Sequence, residues 1–235
     1  AAVADGMNAI ELDLVQSRDG IPFVMHDDRV DRTSNGAGYC YNLPWQSVTN
    51  LDAGSWKSLR FRGEKVPSFA QVLENFQNQP VFILAEIKES LYYLDLPQRA
   101  ARLIQEKGME AQCQVMSFNW DYADAVKQEN PACVTGILGS GRSMKEAVER
   151  AQRGGHTFIS WDYKNVTPAM VQLVHEAGMT LNVWTVNTAR SIQKMIDLGV
   201  DSISSNHTRR LKTIADRNGI VQLKPIFSDP APDHK

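Results

Sequence analysis

Short β-branched and aliphatic runs alternate along this chain with stretches in which apolar residues recur every three or four positions. That is the pattern of strands feeding helices in a parallel α/β sheet. Strands are predicted at 8–15, 81–88, 113–118, 134–138, 157–161, 181–186 and 202–205. Helices are predicted at 68–76, 98–107, 121–129, 144–153, 168–176 and 189–198, with a last one through 209–217. Ser143 before Met144-Lys145-Glu146 and the pair Thr167-Pro168 are start signals, and Gly178 and Gly199 fall where helices should stop. Seven strand–helix units are one short of a closed (β/α)8 barrel. The run Ala1-Ala2-Val3-Ala4-Asp5-Gly6 reads as the last turn of a helix entering the first strand. The expected fold class is therefore α/β, a TIM barrel missing its first strand and most of its first helix, about 20–30 residues. An open seven-stranded sheet is the other architecture this count allows. Residues 1–219 read as one barrel domain with a lid-like insertion at 27–67, and 220–235 as a C-terminal tail.

Charge interrupts the apolar pattern at a few positions. Glu11 and Asp13 lie two apart in Ile10-Glu11-Leu12-Asp13-Leu14, so both point to one face of their strand. Glu86, in Leu84-Ala85-Glu86-Ile87-Lys88, sits late in its strand and shares a face with Lys88, while Ile83, Ala85 and Ile87 point toward the helices. Taking an ionised carboxylate out of water costs several kcal/mol unless it is compensated. Three converging acids repel, and a divalent cation is the usual remedy. The other reading is a closed ion-pair network of Glu86 with Lys88 and Arg32.

His26 follows the first strand after Asp19-Gly20 and an extended return, which brings it near the same barrel mouth. A histidine there is either a capping group or a proton carrier near neutral pH. His156 precedes its strand and belongs to the far end, His175 lies on a helix, and His234 is in the tail. His207 follows the last strand at the catalytic end, beside Arg209 and Arg210. Between His26 and Pro67 the chain shows no clear helix or long strand but carries Tyr39, Tyr41, Trp45, Trp56 and Phe61. Loops of that length are usually lids or binding loops, or else pack on their own aromatics.

Composition narrows the partners. A net charge of -2 gives no electrostatic reason to expect nucleic acid. No apolar run approaches bilayer length, and no amphipathic stretch reads as a membrane-binding helix. Cys40, Cys113 and Cys133 have neither zinc nor redox spacing and read as reduced, buried thiols. The expected compartment is the cytoplasm.

These residues, with Asp31-Arg32-Thr33-Ser34-Asn35-Gly36-Ala37-Gly38, Leu51-Asp52-Ala53-Gly54-Ser55-Trp56 and Gly63-Glu64-Lys65-Val66-Pro67-Ser68, resemble the glycerophosphodiester phosphodiesterase family. So do Ser117-Phe118 and Val183-Trp184-Thr185-Val186-Asn187, and the likeness runs in order from about Asp5 to Asn206. The resemblance implies a TIM barrel with a small insertion after its second strand, corresponding to 26–67. It implies cleavage of a small-molecule glycerophosphodiester to sn-glycerol 3-phosphate and an alcohol, with Mg2+ or Ca2+. By the same resemblance Glu11, Asp13 and Glu86 are metal ligands and His26 is one of two acid/base histidines. Lys88 then faces the phosphate, and Trp184 lines the glycerol side of the pocket. The family's His-Arg-Gly and Pro-Glu-Asn-Thr motifs, which carry the second histidine and a phosphate-binding arginine, do not occur in this sequence. The chain as given is accordingly expected to be weakly active or inactive. Two further readings stay open: a non-catalytic glycerophosphate-binding barrel, and a related lysophospholipase D or sphingomyelinase-type barrel.

Overall fold

The computed structural model describes residues 2–93, 95–141 and 143–225. Chain entry is a single 3-10 turn, Val3–Asp5, closed by Gly6 at φ 85°, a left-handed conformation that glycine adopts without a Cβ clash. Of the predicted leading run, Ala1 lies outside the described residues, as do residues 226–235 of the predicted tail.

The strands are β1 (Ala9–Gln16), β2 (Pro22–Val24), β3 (Phe82–Ile87), β4 (Cys113–Ser117), β5 (Val134–Gly139), β6 (Phe158–Asp162), β7 (Thr180–Trp184) and β8 (Ser202–Ile203). The helices are α1 (Trp45–Val48), α2 (Phe69–Phe76), α3 (Leu96–Glu106), α4 (Trp120–Glu129), α5 (Met144–Gly154), α6 (Pro168–Glu176), α7 (Ala189–Asp197) and α8 (Thr208–Arg217). One sheet runs in the order β2-β1-β3-β4-β5-β6-β7-β8. All its pairings are parallel except β1 with β2, a hairpin in which Leu14 opposes Val24. The sheet is a curled α/β barrel. It is open between β1 and β8, which are not hydrogen-bonded to each other among the described residues.

Every predicted strand and helix is present, with ends shifted by a few residues. Helix α3 starts at Leu96, two residues before the predicted 98, because Pro97 fits a first turn that needs no N–H from it. Ser68 caps α2 rather than joining it, in a reciprocal capping box with Gln71. Between residues 26 and 67 the chain is not wholly irregular: it holds the four-residue α1 and 3-10 turns at Cys40–Asn42 and Leu59–Phe61. Elements that short leave no periodicity to read.

Apolar residues form layers on both sides of the sheet. Leu14, Ile83, Ala85 and Ile87 pack outward against α2, α3 and the insertion. Ile137, Ile159, Leu181 and Val183 do the same against α5, α6 and α7. The barrel interior is plugged by Met116, Leu138 and Phe158. Phe158 fits because Gly136 faces it: a Cβ there would lie 2.3 Å from the ring. Among the described residues no helix is long and apolar enough to cross a membrane.

Candidate active site

Strand register brings the acids together. In the parallel pairing of β1 with β3, Asp13 is the ladder partner of Glu86, and Glu11 lies one pleat below Asp13 on the same face. The result is that one carboxylate oxygen from each of Glu11, Asp13 and Glu86 can be chosen with all three within 4.8 Å of one another. Lys88, one pleat above Glu86, reaches into this group: its Nζ lies 2.6 Å from Glu86 Oε1 and 2.9 Å from Asp13 Oδ1. Arg32 does not join them. The network expected as the structural alternative is therefore not formed as drawn, because Arg32 is held by Asp27 instead.

The charges do not balance. Three carboxylates share one ammonium, and Glu11 has no hydrogen bond or ion pair among the described residues. Glu11 is exposed at the mouth, yet its carboxyl is crowded by the protein around it. That burial pushes the Glu11 carboxyl up to about 8, and the neighbouring Asp13 and Glu86 add to the rise. Burial also raises Glu86, against the pull of Lys88. Burial alone would lower Lys88, but Glu86 and Asp13 outweigh it and hold the ammonium above its ordinary value. A concave group of oxygen donors with surplus negative charge fits a hard divalent cation.

His26 follows the β1–β2 hairpin, where Met25 N–H donates to the Asp13 carbonyl at 3.0 Å and so ties this segment to the acid strand. Its Nδ1–H donates to Asp27 Oδ1 at 2.7 Å. Arg32 clasps the same carboxylate with two bonds, Nε to Oδ2 at 2.6 Å and Nη2 to Oδ1 at 2.8 Å. Arg32 and His26 together hold the Asp27 carboxyl far below its usual range. Anchored through Nδ1, His26 leaves Nε2 without a partner among the described residues, on a side chain that is 64% exposed. The spacing of acidic and basic residues gives no hint of this Arg32–Asp27–His26 relay; the turn that brings Arg32 back to Asp27, five positions earlier, creates it.

Trp184 ends β7 at the same rim. Its ring meets Phe118 edge-on at 5.7 Å, and its Nε1 is buried with no hydrogen-bond partner among the described residues. Phe118, just beyond β4, is 38% exposed and completes an aromatic wall whose two members are 66 residues apart in sequence. No other described histidine belongs to the acid cluster. His156 is enclosed at the far end, His175 pairs with Asp201 on the surface at 2.8 Å, and His207 precedes α8 in a shallow hollow with Asp5 and Arg209. His234 lies outside the described residues.

Comparison with known proteins follows the same lines. The Glycerophosphoryl diester phosphodiesterase family profile matches residues 1–210. A glycerophosphodiester phosphodiesterase of Caldanaerobacter subterraneus is 29% identical over 218 residues, covering 91% of this chain and 88% of the relative. A Bacillus subtilis protein of the same description is 27% identical over 215 residues, covering 84% and 73%. Among solved structures, a putative glycerophosphoryl diester phosphodiesterase from Silicibacter pomeroyi superposes with a TM-score of 0.82 at 21% identity, covering 93% of this chain and 86% of that one. An Oleispira antarctica phosphodiesterase, solved with its product sn-glycerol-3-phosphate, gives 0.81 at 23% identity, covering 91% and 87%. At such identities the structures establish the shared fold.

Proposed function

Because the chain belongs to the glycerophosphoryl diester phosphodiesterase family, a family of phosphoric diester hydrolases, we propose that it hydrolyses glycerophosphodiesters to sn-glycerol 3-phosphate and an alcohol. The carrying observation is the convergence of Glu11, Asp13 and Glu86 at a solvent-open mouth with one ammonium among them. The relatives named glycerophosphodiester phosphodiesterases support the substrate class. The product in the Oleispira structure supports sn-glycerol 3-phosphate as the fragment to look for.

In this reading Glu11, Asp13 and Glu86 hold Mg2+ or Ca2+, since the donor set is all oxygen and carries surplus charge. Such a cation, when bound, polarises the phosphoryl oxygens and offsets the negative charge of the diester. Lys88 supplies a second positive charge for the phosphate from the rim of the acid cluster. His26 moves a proton through Nε2 between the reacting oxygens and solvent, while Asp27 fixes its other nitrogen and Arg32 fixes Asp27. Hydrolysis forms a phosphorus–oxygen bond to water and breaks the one to the alcohol, whose oxygen takes up a proton. Trp184, with Phe118 against its ring, walls the glycerol side. We treat residues 1–219 as one barrel unit with the 27–67 insertion beside its mouth, working in the cytoplasm, where three free thiols suit a reducing milieu.

In a second reading, the barrel binds glycerophosphate-like ligands without cleaving them. Incubation of the chain with glycerophosphocholine and Mg2+ or Ca2+ separates the two. Cation-dependent release of sn-glycerol 3-phosphate supports hydrolysis. A rise in melting temperature with ligand and no product supports binding alone.

A further inference from the structure

The tip of the insertion, residues 56–65, places large apolar side chains in water. Leu59 is 79% exposed, Trp56 49% and Phe61 40%. Lys57, Arg60, Arg62 and Lys65 are interleaved with them, against the single acid Glu64, in a chain whose overall charge is -2. The arrangement is tied together by backbone hydrogen bonds. Asp52 accepts hydrogen bonds from the N–H groups of Gly54, Ser55 and Gly63, and Ala53 N–H donates to the Glu64 carbonyl at 2.8 Å. Gly54 packs so closely on this turn that a Cβ there would sit 1.8 Å from the Phe61 carbonyl oxygen. The Trp56 Nε1–H donates to the Ala53 carbonyl at 2.8 Å, which fixes its half-exposed ring on the turn. Lys57 lies over the Trp56 ring at 5.7 Å and Arg60 over Phe61 at 5.0 Å, so each exposed aromatic carries a cation beside it.

We propose that this tip docks on a bilayer surface rich in anionic phospholipid. Aromatic and aliphatic side chains that stand out from a hydrogen-bonded turn, each flanked by a basic group, match the boundary between head groups and acyl chains. The basic groups meet the negative lipid, and the apolar groups enter beneath it. Charge complementarity alone would also suit nucleic acid, but Leu59, the most exposed of the three, offers a base neither a stacking face nor a hydrogen bond. The tip is bonded to the turn that follows His26: Asn35 N–H donates to the Asp52 carbonyl at 3.1 Å, and Asp52 N–H to Asn35 Oδ1 at 2.8 Å. Docking therefore brings the His26 side of the barrel to the lipid surface. The contact is a property of the tip and is measured without turnover, so it stands or falls separately from the proposed hydrolysis.

The test is sedimentation of the full chain with vesicles of phosphatidylcholine and phosphatidylglycerol in equal parts, and with phosphatidylcholine alone. The expected result is binding to the anionic vesicles that weakens with added salt, and little binding to the neutral ones. Each basic side chain near such a surface is worth about fivefold, so a Lys57→Ser/Arg60→Ser/Arg62→Ser variant should lose about a hundredfold in partitioning. Leu59→Ser should lose about tenfold or more, and it carries the test if the triple variant no longer melts like the parent. Absence of binding to the anionic vesicles overturns the proposal, as does parental binding by the triple variant. Unchanged binding by Leu59→Ser, with a DNA duplex displacing the vesicles, also overturns it in favour of a generic polyanion site.

Discussion

Two clusters at opposite ends of the barrel each gather carboxylates, a cation and a histidine, and they are built to different rules. At the base, Asp124 on α4 takes hydrogen bonds from Arg150 on α5 and from His156 before β6, whose Nε2 lies 3.0 Å from Asp124 Oδ1. His156 Nδ1 meets Thr135 Oγ1 at 2.8 Å, so both ring nitrogens are occupied on a side chain with no exposure. Arg150 reaches Asp121 as well, at 2.9 Å. At the mouth, by contrast, Lys88 is divided between two acids, and neither Glu11 nor His26 Nε2 has a partner among the described residues. A closed cluster, with each group satisfied, ties helices to strands. An open one with surplus charge has capacity left for a ligand.

Mutation should separate the two most sharply through activity. Glu86→Gln removes one donor and one negative charge from the mouth, and is expected to lower glycerophosphodiester turnover by about 10³-fold or more while the melting temperature stays near the parent's. His26→Ala should cost ~10²–10⁴-fold in turnover, read as product release at saturating substrate. Parental rates in either variant would remove that residue from the mechanism. Asp124→Ala should do the reverse. Arg150 and His156 lose their common partner, stability falls by about 2 kcal/mol in urea unfolding, and turnover changes by no more than about twofold.

The smallest effect concerns pH. Burial lowers the pKa of His156 in the folded chain, the carboxylate of Asp124 notwithstanding. The unfolded chain then binds the extra proton first as pH drops below the ordinary histidine value near ~6.5. Stability contributed by neutral His156 is thus present above that value and is lost as pH falls toward the folded pKa. His156→Gln should flatten this acid-side decline in melting temperature. If the decline is as steep in the variant, the base cluster is not what senses acid.

The same contrast explains what the sequence discloses. Period-two spacing puts Glu11 and Asp13 on one face, and a parallel sheet makes their meeting with Glu86 legible before any coordinates. Helix ends at Ser143 and Thr167 are legible too, because capping is local chemistry. The relay from Arg32 through Asp27 to His26 is not, since it depends on how one turn aims three side chains. Nor is the base cluster: Asp124, Arg150 and His156 come from separate elements, and neither of the first two interrupts an apolar strand. Phe118 and Trp184 likewise meet only through curvature of the sheet.

Calorimetric titration of the chelator-treated chain with Mg2+ and with Ca2+ goes most directly to the central claim. The account expects one divalent cation per chain, lost in Glu86→Gln and kept in Asp124→Ala. A chain that binds neither ion, or that binds equally well after Glu86→Gln, would contradict the assignment of the mouth acids as a metal site.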